Sequence, residues 1–178
     1  MHRYRVLVFI FTFIHLIGFA QDKKFPTLEG DLLTGERISF PVKADLQAYL
    51  VGMAYSKAAE VDLETWFQPS FDKFILKKGL FDGTYQVKPL FIPMFTGFNR
   101  AAERTVSKDL EEQIPDEFKA NVLIYRGPLE PYKTSLQLVN KNQPYILLVT
   151  PDGDILYQTS GAFSEKKMER IADLLDQL

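Results

Sequence analysis

Short apolar segments separated by turn residues predict a sheet protein with interspersed helices. The unbroken apolar run over residues 48–55 is typical of a central strand that is covered on both faces. Residues 121–126 and 145–150 predict two further strands. An Asp-Gly turn at residues 152–153 and a second apolar run over 155–158 follow, and this pattern strongly indicates a terminal hairpin.

Helical spacing of apolar residues alternates with these strands. Residues 56–79 have this spacing, and we expect Pro69 to kink or split the helix. The pattern also predicts a polar helical region over 99–120 and a short helix over 132–139. A last helix begins after Ser164 and has one apolar stripe. Glycines and alternation over residues 25–43 predict a small leading hairpin.

Residues 85–95 are apolar but contain two prolines, which a central strand rarely tolerates. We therefore expect a strand that ends in an irregular loop at residues 93–97. Core packing is the favoured interpretation of the apolar side chains here. If the loop is exposed, Met94, Phe95 and Phe98 would form an apolar patch of the kind that marks a partner site.

The first twenty residues have the organisation of a secretory signal peptide. Arg3 and Arg5 precede an apolar stretch over 6–19, and small residues stand before a cleavage position at Gln21. The prediction is a signal peptide over 1–20 and one domain over 21–178, in a periplasmic or secreted protein. The alternative is an uncleaved membrane anchor over 6–19, which is short for a full span.

The composition excludes several classes of function. The chain has no cysteine, and its two histidines, His2 and His15, lie in the predicted signal peptide. The mature chain therefore lacks thiols and the commonest general base and metal ligand, so we expect no metal site and no cofactor. Without Arg3 and Arg5, 19 of the 21 basic residues remain against 23 acidic ones, a net charge of −4. This charge argues against nucleic-acid binding.

Three segments resemble the redoxin branch of the thioredoxin superfamily, which includes the TlpA-like proteins. They are FPTLEGDLLTGERISF, AYLVGMAYSKAAEV and QPYILLVTPDGDILYQTSGAFSEKKMERIADLL. The resemblance implies an α/β, thioredoxin-like fold with a central mixed sheet flanked by helices. NVLIYRG together with PYILLVTPDGDILYQTSGAFS is more loosely similar to the mitochondrial ATP synthase assembly factor and its bacterial relatives.

The same resemblance implies where the family's site lies on this chain. Its two cysteine positions correspond to Ser56 and Ala59, and its cis-proline corresponds to Pro144, which predicts a cis Gln143–Pro144 bond. Because neither thiol is present, thiol-dependent redox activity is excluded.

Two main classes of function remain open. The favoured hypothesis is a non-enzymatic protein that binds a polypeptide client, as an assembly or folding factor, with membrane contact only through an uncleaved signal segment. Its candidate peptide-binding residues are Tyr55, Gln143, Pro144, Met94 and Phe95, since the backbone before the proline could pair with an extended client.

The alternative is a thiol-independent enzyme or small-anion binder at the helix start of Ser56. No histidine is available to activate Ser56, and its simplest role is to cap the helix. A purely structural module of an envelope complex is a third hypothesis.

Overall fold

The computed structural model describes residues 23–80, 82–95, 108 and 110–178. The strands are β1 (Leu28–Leu32), β2 (Arg37–Phe40), β3 (Ala48–Ala54), β4 (Val87–Phe95), β5 (Leu123–Arg126), β6 (Tyr145–Val149) and β7 (Ile155–Ser160). The helices are α1 (Lys57–Glu64), α2 (Phe67–Phe74), α3 (Glu130–Leu136) and α4 (Glu165–Leu175), with 3-10 turns at Asp82–Thr84 and Asp116–Asn121. The predicted signal peptide and Phe98 lie outside the described residues. Within those residues, no helix is long and apolar enough to cross a membrane.

The strands form one mixed sheet in the order β2-β1-β5-β4-β3-β6-β7. All seven residues of β3 are buried, as expected for a strand covered on both faces. This strand pairs in parallel with β4 and antiparallel with β6. The predicted fold class is confirmed, and β1 with β2 and β6 with β7 form the expected leading and terminal hairpins.

Two apolar cores lie on the two faces of this sheet. One core packs β-strand side chains with α3 and the leading hairpin. The other packs them with α1, α2 and α4. The predicted split of the first helix occurs between Glu64 and Phe67, ahead of Pro69. Pro69 then lies in the first turn of α2, where a missing N–H breaks no helical hydrogen bond.

The expected loop at residue 93 is wrong, because β4 continues through both prolines to Phe95. The carbonyl of Pro89 accepts a hydrogen bond of 2.7 Å from the side chain of Asn121, which is itself buried. The N–H and C=O groups of one strand residue point to the same edge of the strand. The edge on which Pro89 lacks an N–H is therefore the edge occupied by the Asn121 side chain. β5 begins only at Leu123, so no β5 backbone lies beside Pro89. The missing N–H of this proline therefore breaks no hydrogen bond between the two strands.

Candidate functional site

The junction between β3 and α1 is held by the hydroxyl of Ser56. Its Oγ accepts a hydrogen bond of 3.2 Å from the backbone N–H of Ala59, which caps the helix. The same hydroxyl donates to the backbone carbonyl of Lys141, in the segment that leads into β6. The structure therefore brings the start of α1 beside the approach to Pro144, although 85 residues separate Ser56 from Lys141.

The two positions that correspond to the family's cysteines differ in exposure. Ser56 is half-buried, whereas Ala59 is fully buried. By the resemblance of AYLVGMAYSKAAEV to that family, a hydroxyl and a methyl group would stand where the family has two thiols. Among the described residues, no group of His, Cys, Asp and Glu could hold a metal ion.

Two stacked tyrosines fix the segment before β6. The rings of Tyr55 and Tyr145 are nearly parallel, with centroids 6.5 Å apart. The hydroxyl of Tyr55 donates to the carbonyl of Leu138 at 2.9 Å, and that of Tyr145 accepts from the N–H of Asn140 at 2.6 Å. Tyr55 therefore has a structural role here, and its hydroxyl is already bonded within the chain.

The predicted cis bond before Pro144 is wrong. Among the described residues, the cis peptide bond is Phe40–Pro41, and Gln143–Pro144 is trans. The trans form is intrinsically preferred by about 0.5–1 kcal/mol at an X–Pro bond. Pro144 is buried, and its carbonyl accepts a hydrogen bond of 3.0 Å from the N–H of Gly161.

Gln143 has open backbone groups at the start of β6. The residue is half-buried and precedes the first paired residue of that strand, Tyr145. Within the described part of the chain, neither its N–H nor its C=O makes a backbone hydrogen bond of good geometry, although the turn over residues 141–142 directs the N–H toward the carbonyl of Asn140. Buried or partly buried backbone groups normally find a partner, so these groups are available to water or to another chain.

Met94 and Phe95 pack into the cores, as the favoured interpretation of this stretch expects, and do not form together the apolar patch that exposure would create. Met94 is 4% exposed and belongs to the core beside α3, whereas the half-buried Phe95 packs against the opposite core. Successive side chains of a strand point to opposite faces, which is why two neighbours in β4 cannot share a surface. Phe98, the third member of the expected patch, is not among the described residues.

A cavity that the sequence analysis missed lies between α1, α2, the end of β4 and the segment before β5. Its volume is about 190 Å³. The lining residues are Glu60, Leu63, Glu64, Phe67, Pro93, Leu110, Gln113, Ile114 and Val122. We call it the α1 cavity. These residues are scattered over more than sixty positions of the chain, so no local pattern in the sequence brings them together.

Ionisation of the buried tyrosines should make the protein sensitive to alkali. Burial raises the pKa of Tyr55 to about 12, and Tyr145 adds to the rise through its charge and a hydrogen bond. Burial also raises the pKa of Tyr49. An unfolded chain has an ordinary tyrosine pKa of about 10, so the unfolded state loses its protons first. The contribution of these tyrosines to the free energy of unfolding should be constant below about pH 10 and should fall as the pH rises to about 12.

Urea unfolding at several alkaline pH values, followed by circular dichroism, measures this fall. Tyr55→Phe should make this fall in the free energy of unfolding shallower, since it removes one group whose pKa is raised by folding. Tyr157→Phe is the control, because Tyr157 is half-buried in the opposite core. An equal fall in wild type and Tyr55→Phe would contradict the assignment.

The positions of Ser56 and Ala59 can be tested by restoring two thiols. The hydrogen bond of 3.2 Å from the backbone N–H of Ala59 to the Ser56 hydroxyl keeps the two residues close, as a disulfide requires, since its Cα atoms must lie within about 7 Å. The Ser56→Cys, Ala59→Cys variant should therefore form an intramolecular disulfide under mild oxidation. Mass spectrometry should show the loss of two hydrogens.

Ser56→Cys combined with Val61→Cys is the matched control, because Val61 is 60% exposed and unsuitably placed on the helix. The control pair should stay reduced or form intermolecular dimers. The same behaviour in the first variant would disprove the correspondence.

Comparison with known proteins supports the fold independently. No family model matches the chain, and no curated protein matches its sequence. Among solved structures, the thioredoxin domain of a thiol-disulfide oxidoreductase from Bacteroides vulgatus has a TM-score of 0.57 at 15% identity, over 86% of this chain and 96% of that one. An exposed lipoprotein thioredoxin from Streptococcus pneumoniae has a TM-score of 0.54 at 14% identity, over 86% and 100%.

A copper-bound Sco protein from Arabidopsis thaliana is also similar, with a TM-score of 0.53 at 13% identity over 86% of this chain and 98% of that one. Identities this low establish the fold alone. The architecture, the placement of Ser56 beside the approach to Pro144 and these similarities together identify the chain as a thioredoxin-fold protein without cysteine.

Proposed function

We propose that this protein is a non-redox binding protein that takes up an extended polypeptide at the backbone of Gln143. The observation that carries the proposal is the pair of open backbone groups on this half-buried residue, two positions before the first residue of β6. An extended chain that aligned with Gln143 would gain main-chain hydrogen bonds by strand addition. This kind of binding requires neither a thiol nor any other reactive side chain.

The surroundings of Gln143 support a preformed binding position. Three hydrogen bonds hold the neighbouring backbone. The Ser56 hydroxyl donates to the carbonyl of Lys141, the N–H of Asn140 donates to the Tyr145 hydroxyl, and the N–H of Gly161 donates to the carbonyl of Pro144. The residues on both sides of Gln143 are therefore held in place before a client arrives. A rigid site loses less conformational entropy on binding, which favours affinity.

The alternative of an anion site or an enzyme at Ser56 has less support. Its hydroxyl oxygen already accepts from Ala59 and donates its proton to Lys141. A nucleophilic serine needs a base to take that proton, and a backbone carbonyl cannot serve as one. The contacts of Ser56 thus favour a structural role, and we propose a non-enzymatic protein.

An exported location is part of the proposal. It rests on the signal-peptide pattern of residues 1–20 and agrees with the exposed lipoprotein among the similar structures. A structurally similar Sco protein, with a TM-score of 0.53 at 13% identity, belongs to a family of cytochrome c oxidase assembly proteins. An assembly role in the cell envelope, as the looser resemblance to the ATP synthase assembly factor also suggests, fits a client-binding protein.

Two substitutions at residue 143 test the proposal. A library of immobilised peptides identifies a binder, whose affinity is then measured in solution by fluorescence anisotropy. Gln143→Ala keeps the backbone N–H and should bind like the wild type. Gln143→Pro removes that donor and should weaken binding about tenfold, since a hydrogen bond contributes about 0.5–1.5 kcal/mol and its unpaired partner adds to the loss.

Thermal unfolding must show that both variants fold. If no peptide in the library binds, or if Gln143→Pro binds as tightly as Gln143→Ala, pairing at this backbone is ruled out.

A further inference from the structure

The α1 cavity is separate from the proposed peptide position and has the properties of a small-molecule site. Leu63, Pro93 and Val122 are buried and supply apolar surface from α1, from β4 and from the residue just before β5. Phe67 and Ile114 are half-buried and complete the apolar lining. An apolar cavity of ~150 Å³ is large enough to hold a benzene molecule, so about 190 Å³ has room for a slightly larger body.

The charged groups that line this cavity are acidic in the part of the chain that the structure describes. Glu60 is half-buried and Glu64 is exposed, and they follow each other by one turn on the same helix. No lysine or arginine is among the described residues that line the cavity. A cationic group would therefore be attracted to the cavity, and an anionic one would be repelled.

The environment of Glu60 disfavours its charged form. Burial raises its pKa, the repulsion of Glu64 raises it further, and Lys57 on the same helix acts in the opposite direction. A carboxylate that loses water in an apolar setting regains stability when a cation approaches it. The same carboxylate lines the cavity, so a ligand there could supply that cation.

We propose that the α1 cavity binds a small apolar cation, a primary amine whose alkyl or aryl body fills the cavity while its ammonium group donates to the carboxylate of Glu60. The apolar walls select for the body, and the acidic residues select for the charge. A neutral molecule of the same shape makes the apolar contacts but gains no attraction to the acidic residues. The site needs no contact with Gln143, so it can exist whether or not the chain binds a polypeptide.

Phenethylamine and 2-phenylethanol are suitable probes, because they share one body and differ in charge. Calorimetric titration of the purified protein should show the amine binding about tenfold more tightly than the alcohol, as expected for a hydrogen bond to a charged group. Glu60→Gln keeps the shape of the side chain and removes its charge. This variant should bind the amine about tenfold more weakly and the alcohol as before.

Two further variants make the result specific to the cavity. Glu169→Gln removes a charge from an exposed position on α4 and should leave both affinities unchanged. Ile114→Trp places a larger side chain at the half-buried wall and should abolish binding of both probes, with a thermal unfolding transition that confirms folding.

Three results would overturn the proposal. The first is that neither probe binds at millimolar concentration. The second is that the amine and the alcohol have the same affinity for the wild type, and again the same affinity for Glu60→Gln. The third is that Ile114→Trp folds and binds both probes as before. None of these results bears on the peptide experiment, so the two proposals succeed or fail separately.

Discussion

Simultaneous replacement of Met94 and Phe95 by serine is expected to remove a large part of the stability of the protein. Met94 is 4% exposed in one core, and Phe95 packs against the other from a half-buried position. Truncation of a buried methionine or phenylalanine costs about 2–5 kcal/mol each, with the smaller value apt for Phe95. The loss of about 5 kcal/mol or more compares with a total stability of about 5–15 kcal/mol for a domain.

Urea unfolding followed by circular dichroism measures this loss. The single variants should each destabilise the protein, and their effects should be nearly additive, because the two side chains lie on opposite faces of the sheet. Val61→Ser with Val139→Ser is the matched control, since these side chains are 60% and 87% exposed. If the double variant at residues 94 and 95 is as stable as this control, both side chains lie at the surface and core packing, the favoured interpretation, is wrong.

Trp66→Ala should destabilise the protein by about 3–5 kcal/mol, the range for a fully buried tryptophan. Trp66 is 0% exposed between α1 and α2, and its ring packs edge-on against Phe163 with centroids 5.3 Å apart. Its indole N–H donates to the carbonyl of Gly161 at 3.0 Å. Gly161 in turn donates to Pro144, so this side chain also supports the position beside Gln143.

Trp66→Phe separates packing from hydrogen bonding. It keeps an aromatic ring but leaves the Gly161 carbonyl without its indole donor, which costs about 1–3 kcal/mol. The free energies of unfolding should therefore rank wild type above Trp66→Phe and Trp66→Phe above Trp66→Ala. Val61→Ala on α1 should change little, because Val61 is exposed. Equal stability of Trp66→Ala and Val61→Ala would show that residue 66 is not part of the core.

Local patterns in the sequence were sufficient for much of the fold. The unbroken apolar run became the fully buried β3, and the Asp-Gly turn became the β6–β7 hairpin. Ser56 caps α1 because a serine side chain can reach the free N–H groups of a helix that starts beside it. The absence of cysteine excluded thiol chemistry without any structure. Each of these inferences depends on neighbours in the chain or on composition.

Contacts between distant segments decided the rest. Pro89 is accommodated inside a central strand because Asn121 supplies a side-chain donor there, and no local pattern indicates that partner. Met94 and Phe95 face different cores because the alternation of β4 continues past the prolines. The bond from Ser56 to Lys141 and the α1 cavity join residues that are far apart in the chain. The sequence by itself determined the elements and the missing chemistry, whereas the surfaces open to a partner or ligand depend on how those elements pack.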